Sequence, residues 1–323
     1  MQNSPDFSLS RRRWLMWGLA GVGAGAVSTA DAGNTVTLPL AQTGLTGRVV
    51  VVGGGMAGAT AAKYLRLWGG SGVSVTLVEA DTRYTSHIMS NLVLSGYRDV
   101  ASLQYAYDGL IRAYGVKRIT GTVTRIDTQG RRVVLKSGQT LPYDRVILAP
   151  GVQFDDAYGL TQTDYATRTP HAWRAGAQTT LLRQQIAAMK AGDTFVMAIP
   201  KAPYRCPPGP YERACVVADH LTQRFGAAAK VVVLDANSAI QAEPENFSRA
   251  FTQIHAGVID YRTDVTELSI DPQTRQVSWS ELSGDTFSIK AAVINPIPPH
   301  RAVASQTGGW MAQAGVKIGR AHV

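Results

Sequence analysis

Cysteine is scarce: Cys206 and Cys215 are the only two in 323 residues. There is no C-x-x-C-H pattern, so haem attachment to this chain is excluded. No apolar run reaches the ~20 residues that a membrane-spanning helix needs. The residues suggest no metal site. Acidic residues are outnumbered, 23 against 32 basic, for a net charge of +9. The basic residues (Arg112, Lys117, Arg118, Arg125, Arg131, Arg132, Lys136) are scattered with no nucleic-acid motif around them. They read as a solvated face, or as steering toward an acidic protein partner.

The first 32 residues read as an address and not as part of the fold. Ser10-Arg11-Arg12-Arg13-Trp14-Leu15 precedes an apolar, Gly- and Ala-rich run at 16–27, and Ala30-Asp31-Ala32 offers a small-residue cleavage site. This is a twin-arginine export signal, which predicts a periplasmic protein that is exported already folded around its cofactor. Such a route favours tightly held FAD over exchangeable NAD. Residues 33–47 are a flexible lead-in.

The stretch 48–79 sets the plan of the fold. Residues 48–52 are a short β-branched run, long enough for a buried strand. It runs into Gly53, Gly55 and Gly58, spaced G-x-G-x-x-G. The first glycine permits the turn, the second admits a pyrophosphate, and the third lets the helix pack on the strand. A helix over 57–68 points its free N–H groups at the phosphates. A strand over 73–78 ends at Glu79, where a carboxylate can reach a ribose hydroxyl. Strand, glycines, helix, strand and acid in this order predict a bound dinucleotide.

Toward the middle of the chain, 105–114 has helical spacing with Leu110 and Ile111 on its apolar side. Residues 118–127 and 131–136 read as strands of a meander, and 143–151 as a buried strand closing on Pro150-Gly151. A second unit starts near Thr169, with an amphipathic helix over 172–190 and a strand over 194–199. The next loop, PKAPYRCPPGP, lacks a glycine triplet, and its prolines cannot donate N–H groups to a pyrophosphate. Nicotinamide binding is therefore not expected. Pro210 suits the first turn of a helix over 211–225. Strands come next at 230–234, at 260–268 with 276–281 as a hairpin or meander, and at 291–295.

Cys206 lies just before a helix N-terminus and beside Arg205, features that favour a thiolate. Cys215 falls inside the helix, on the side of Ala218, as a small core residue. A Cys206–Cys215 disulfide would need the loop to fold back along the helix.

Four segments, VVVVGGGMAGATAAKYLRL, TPHAWRAGAQT, PYRCPPGPYERA and AAVINPIPPHRA, together resemble the flavoprotein subunit of flavocytochrome c sulfide dehydrogenase. The likeness runs from Arg48 to Arg301. It implies an α/β fold of two Rossmann-like three-layer domains of the glutathione-reductase type, related to sulfide:quinone oxidoreductases. The FAD domain is then split, with segments at 48–168 and 291–317 around a second domain at 169–290. It also implies oxidation of sulfide to sulfur or polysulfide, with electrons passing through FAD to a separate c-type cytochrome subunit. The cofactor contacts expected are Gly53, Gly55, Met56, Ala57, Gly58, Glu79, Ala80, His87, Asn91, Val123, Ala149, Pro150 and Gly151. Cys206 maps onto one half of a redox disulfide, and Glu212 onto a proton acceptor. In that chemistry hydrosulfide opens the disulfide, the flavin takes the electrons and a base takes the proton. For Glu212, an acid in a helix first turn is the plain alternative.

Two features depart from the family. His87, in SHIMSN, stands where relatives carry a cysteine tether to FAD, so the flavin is expected to be non-covalent, with a link through His87 as the alternative. The family also continues beyond Arg301, with its partner cysteine there. Residues 318–323 read as an adapter-derived tail, so a truncated reading frame is expected. A sulfide:quinone oxidoreductase and a non-catalytic FAD-binding partner are the competing readings.

Overall fold

Runs of β-branched residues that end at tight turns build two four-stranded parallel sheets. In the computed structural model, which describes residues 39–316, β1 (Gly47–Val52) leads through the glycine turn into α1 (Met56–Gly69) and then β2 (Val73–Glu79). The expectations for 1–32 and 318–323 lie outside the described residues. With β3 (Lys117–Thr120) and β4 (Arg145–Leu148), these strands form a sheet of order β3-β2-β1-β4. Successive side chains of β1 face opposite ways. Val49 and Val51 pack with Ala62, Leu67 and Tyr107, while Val50 and Val52 pack with Val123, Ile126 and Val133. Burial on both faces explains why this strand is an unbroken apolar run.

The second sheet repeats the plan. α2 (Ala177–Ala187), β5 (Thr194–Ile199), α3 (Gly209–Phe225), β6 (Lys230–Asp235), β7 (Ile259–Arg262) and β8 (Val293–Pro296) succeed one another in sequence. The strand order is β7-β6-β5-β8, all parallel. Phe195, Met197 and Ile199 meet Leu182, Ile186, Val217 and Leu221 of the two helices, and Val196 meets Ile270, Val277 and Trp279 on the other face. A three-stranded antiparallel meander backs each sheet: Val123–Asp127, Arg132–Leu135 and Thr140–Pro142 for the first, Ser269–Asp271, Gln276–Ser280 and Thr286–Lys290 for the second. Val152–Phe154 pairs antiparallel with His300–Ala302, so the chain returns beside β4's exit. This is the doubly wound α/β architecture expected. In both sheets strand order reverses beside the first strand, at β1/β4 and β5/β8, and ligand crevices open at the carboxyl ends there.

Several elements differ from the sequence reading. Residues 118–127 are not one strand. Lys117–Thr120 joins the parallel sheet beside β2, and the chain breaks at Gly121 before the meander begins. The helix over 105–114 starts at Asp108, because Gln104–Tyr105 pairs with Tyr84–Thr85; Ile111 is exposed. The helix over 172–190 shortens to Ala177–Ala187. Ala172 has a left-handed φ of 48°, and the carbonyls of His171 and Ala172 are committed to Arg213. Of 260–268, only the start is strand, and it forms the parallel edge β7 instead of a hairpin.

Candidate functional site

A cavity of about 410 Å³ opens at the carboxyl ends of β1 and β4. Of the expected cofactor contacts, Gly53, Gly55, Met56, Ala57, Glu79, His87, Ala149, Pro150 and Gly151 line it. The glycine turn is tight for steric reasons. Gly53 has φ +96°, and a Cβ there would lie 2.1 Å from the Ala149 carbonyl oxygen. A Cβ on Gly58 would lie 1.8 Å from the Gly53 carbonyl oxygen, so the third glycine sets the contact between helix and turn without facing the cavity. Glu79 Oε2 accepts the Gly54 N–H at 2.6 Å, and Oε1 accepts the Asp81 N–H at 3.0 Å. The acid at the end of β2 is thereby fixed at the cavity rim.

Sequence reasoning missed Tyr84, Tyr107, Arg174, Arg205 and Val303, which also line this space. Tyr107 donates its hydroxyl to the Gly54 carbonyl at 3.1 Å, under the glycine turn. Arg174 pairs with Asp81 at 2.7 Å across the rim. The Tyr84 hydroxyl is buried with no protein partner. A dinucleotide fits these residues: the turn excludes a Cβ where a pyrophosphate must approach, the first N–H groups of α1 lie there, and an orphaned hydroxyl points to a missing partner. His87 is half-buried, and burial followed by the Arg205 charge lowers its pKa, so it faces the cavity as neutral imidazole.

The other expected contacts lie elsewhere. Ala80 is exposed beside Glu79 and outside the lining. Val123 is buried in the core between the first sheet and its meander. Asn91 is 8% exposed and turned to α3: its Nδ2 donates to the Gly209 carbonyl at 3.2 Å and to Glu212 Oε2 at 3.0 Å. Glu212 sits in the first turn of α3 with that amide on its carboxylate.

Cys206 occupies the loop at the switch point of the second sheet. It is exposed, has φ +62°, and accepts the Gly209 N–H on its carbonyl at 2.9 Å. It does not line the cavity; its neighbour Arg205 does. Both cysteines are free, and Cys215 is half-buried against the core, where burial pushes its thiol up to about 11. The loop is held from two sides. The Arg205 N–H donates to His300 Nε2 at 2.8 Å, while His300 Nδ1 lies 3.0 Å from the Pro298 carbonyl, which fits the neutral Nδ1–H tautomer. The indole N–H of Trp173 donates to the Arg205 carbonyl at 3.1 Å.

Three of the four segments that carry the resemblance, together with Asn91 from the stretch after β2, converge on Arg213, which is 2% exposed. Its Nε donates to Asn91 Oδ1 at 2.9 Å, its Nη1 to the His171 carbonyl at 2.7 Å and to Asn295 Oδ1 at 3.0 Å, and its Nη2 to the Ala172 carbonyl at 2.9 Å. The guanidinium also stacks on Trp173 at 4.7 Å. Burial pulls its pKa down to about 9, still cationic at neutral pH. The sequence signal was available: Asn91, His171, Asn295 and Arg213 are polar residues set in apolar or Pro-rich surroundings.

Paired parallel sheets, a glycine turn under a cavity and a thiol loop at the second switch point define the class of FAD/NAD(P) disulfide oxidoreductases. Residues 47–188 match the family description "Pyridine nucleotide-disulphide oxidoreductase", and residues 179–298 match "Sulfide dehydrogenase [flavocytochrome c] flavoprotein chain, central". A sulfide dehydrogenase [flavocytochrome c] flavoprotein chain of Chlorobaculum thiosulfatiphilum is 56% identical over 48 residues, 15% of this chain and 98% of that sequence. Putidaredoxin reductase of Pseudomonas putida is 35% identical over 106 residues, 32% of this chain and 25% of that one. Among solved structures, sulfide:quinone oxidoreductase of Aquifex aeolicus superposes with TM-score 0.63 at 20% identity, covering 78% of this chain and 58% of that chain. A NAD-dependent persulfide reductase of A. fulgidus gives 0.62 at 18%, covering 84% and 49%. The chain thus spans about a quarter of the first curated relative and about half of these solved ones. It belongs to the flavoprotein chains of flavocytochrome c sulfide dehydrogenase, within the pyridine nucleotide-disulphide oxidoreductases.

Proposed function

We propose that the whole protein oxidises sulfide to sulfur or polysulfide in the periplasm, using FAD, and passes the electrons to a c-type cytochrome subunit. One observation carries the reading: the RCPPGPYE loop starts at a cavity-lining arginine and places the exposed Cys206 thiol at the next position. Gly53, Gly55, Met56 and Ala57 would hold the pyrophosphate side of FAD, and Glu79 a ribose hydroxyl. When bound, the flavin supplies a two-electron acceptor, and a non-covalent complex is the reading kept for it. Cys206 takes the substrate sulfur as part of the redox disulfide of the whole protein. Hydrosulfide attacks that disulfide, a new S–S bond forms to one enzyme sulfur, and the other leaves as thiolate. Glu212 takes the proton, with Asn91 holding its carboxylate.

The second sheet carries no nicotinamide site in this reading. Asp235 ends β6, where a ribose acid would stand. It is fully buried and takes four protein donors: the Tyr211 and Tyr261 hydroxyls at 2.8 and 2.9 Å, and two N–H groups of Asn237 at 2.9 and 2.7 Å. The fold alone permits such binding, since the similar solved structures include a water-forming NADH oxidase of Lactobacillus brevis bound to NADH.

The test is reduction of a c-type cytochrome by sulfide, catalysed by the full-length flavoprotein reconstituted with FAD. Reduction at a rate proportional to flavoprotein supports the proposal. No reduction above the uncatalysed rate, with flavin bound, removes it.

A further inference from the structure

Two cations stand behind the thiol without anionic partners. Arg213 is 2% exposed, and all four of its hydrogen bonds go to neutral oxygens. The Arg205 guanidinium bonds the Trp173 carbonyl. Neither arginine enters an ion pair among the described residues. Glu212, the carboxylate next in sequence to Arg213, is turned to the Asn91 amide. A buried cation with no carboxylate paired to it favours an anion nearby.

The thiol lies beside the same groups. A Cβ on Gly209 would lie 2.9 Å from Cys206 Sγ and 2.9 Å from Trp173 Cη2, so sulfur and indole both border the bare first residue of α3. The same indole carries Arg213 on its ring and Arg205 on its backbone carbonyl. Burial is the largest influence on both guanidinium groups and lowers their pKa; Glu212 and then Cys206 oppose it at Arg213, and Cys206 and then Tyr84 oppose it at Arg205. Of the other charged groups near the loop, Arg174 is paired with Asp81 and Arg301 with Asp155, and the groups bonded to the loop are neutral: His300 on the Arg205 N–H and the Tyr204 hydroxyl on the Pro207 carbonyl.

We infer that Arg213 and Arg205 make the thiol site anion-selective, drawing hydrosulfide or the terminal sulfur of a polysulfide onto Cys206 in preference to neutral thiols. The identity of the substrate rests on the proposed sulfide chemistry; the charge selection does not.

The test compares two disulfide probes on the reduced full chain with Cys215→Ala: dianionic dithiobis-nitrobenzoate and neutral dithiodipyridine. Cys206 attacks either probe as thiolate, its proton going to solvent. A mixed S–S bond forms, the probe's own S–S bond breaks, and the aromatic thiolate leaves with the electron pair and is read by absorbance. The readout is the anionic-to-neutral rate ratio, in which the thiolate fraction cancels, divided by that of the neutral thiol N-acetylcysteinamide in the same buffer, which cancels the probes' own reactivity. At high salt, where surface charge is screened, the normalised ratio is expected to be about tenfold or more. Arg213→Gln should bring it near one, and Arg213→Lys should keep it, because the charge is retained although the fork is lost. A wild-type ratio of one overturns the inference. So does an equal loss in the Lys and Gln variants, which would make Arg213 a purely structural fork. Arg205→Gln, on the loop, is a second arm independent of the folding of the Arg213 variants: a lowered ratio supports the inference and an unchanged one overturns it. No arm uses FAD or sulfide, so failure of the sulfide assignment would show separately.

Discussion

Asn91 Nδ2 donates to Glu212 Oε2 at 3.0 Å, while Asn91 Oδ1 accepts from Arg213 Nε at 2.9 Å. One amide therefore holds two adjacent residues of α3 from a segment just past β2, and fixes a carboxylate and a guanidinium at once. Asn91→Ala leaves the buried Arg213 Nε without an acceptor, at a cost of about 1–3 kcal/mol. Thermal unfolding should show a melting temperature several degrees lower; an unchanged one would mean the amide is dispensable.

The third glycine of the turn should tolerate nothing larger. Gly58→Ala drives a Cβ to within 1.8 Å of the Gly53 carbonyl oxygen and displaces the turn from α1. The variant should retain FAD at least ~10-fold more weakly, measured as flavin bound per protein after gel filtration. Gly109→Ala, which meets nothing within 4 Å, is the control expected to bind normally.

His171 gives stability a pH dependence of defined sign. Burial, followed by the charge of Arg213, lowers its pKa to about 3, against about 6.5 in the unfolded chain. Between those values the unfolded state binds the extra proton. Stability is therefore fully present above about pH 6.5 and falls by about 1.4 kcal/mol per unit as pH drops toward 3. Urea melts at about pH 7 and about pH 5 should show this loss, and His171→Asn should flatten it. A variant with the wild-type slope would assign the effect to other groups.

The two thiols should behave differently. Cys206 is exposed, whereas Cys215 is half-buried with its thiol pushed up to about 11. Iodoacetamide at about pH 8 should modify Cys206 quickly and Cys215 only after unfolding, as peptide mass mapping would show. Equal labelling in the native state would contradict this packing.

The glycine turn, three strands of each parallel sheet and nine residues of the cavity lining were legible because each rests on local rules: β-branched runs, a Cβ-free turn, a strand-terminal acid. What was not legible depends on long-range geometry. Asn91 is near Glu79 in sequence, yet its amide serves α3, 118 to 122 residues away. Val123 faces a core that only the meander creates. The helix start at Ala172 failed because Arg213, 41 residues on, takes its carbonyl. Arg205 was read as a neighbour of the thiol; that it also lines the cavity beside the glycine turn depends on segments far apart in sequence, around Gly53 and Arg205, meeting there.

The central claim is that sulfur chemistry at position 206 feeds the flavin crevice. The most direct measurement is anaerobic addition of sulfide to the full-length, FAD-loaded protein, wild type and Cys206→Ser, with flavin absorbance as the readout. The account predicts rapid bleaching in the wild type and none in the variant, with FAD content equal in both. Bleaching of Cys206→Ser at the wild-type rate would contradict it.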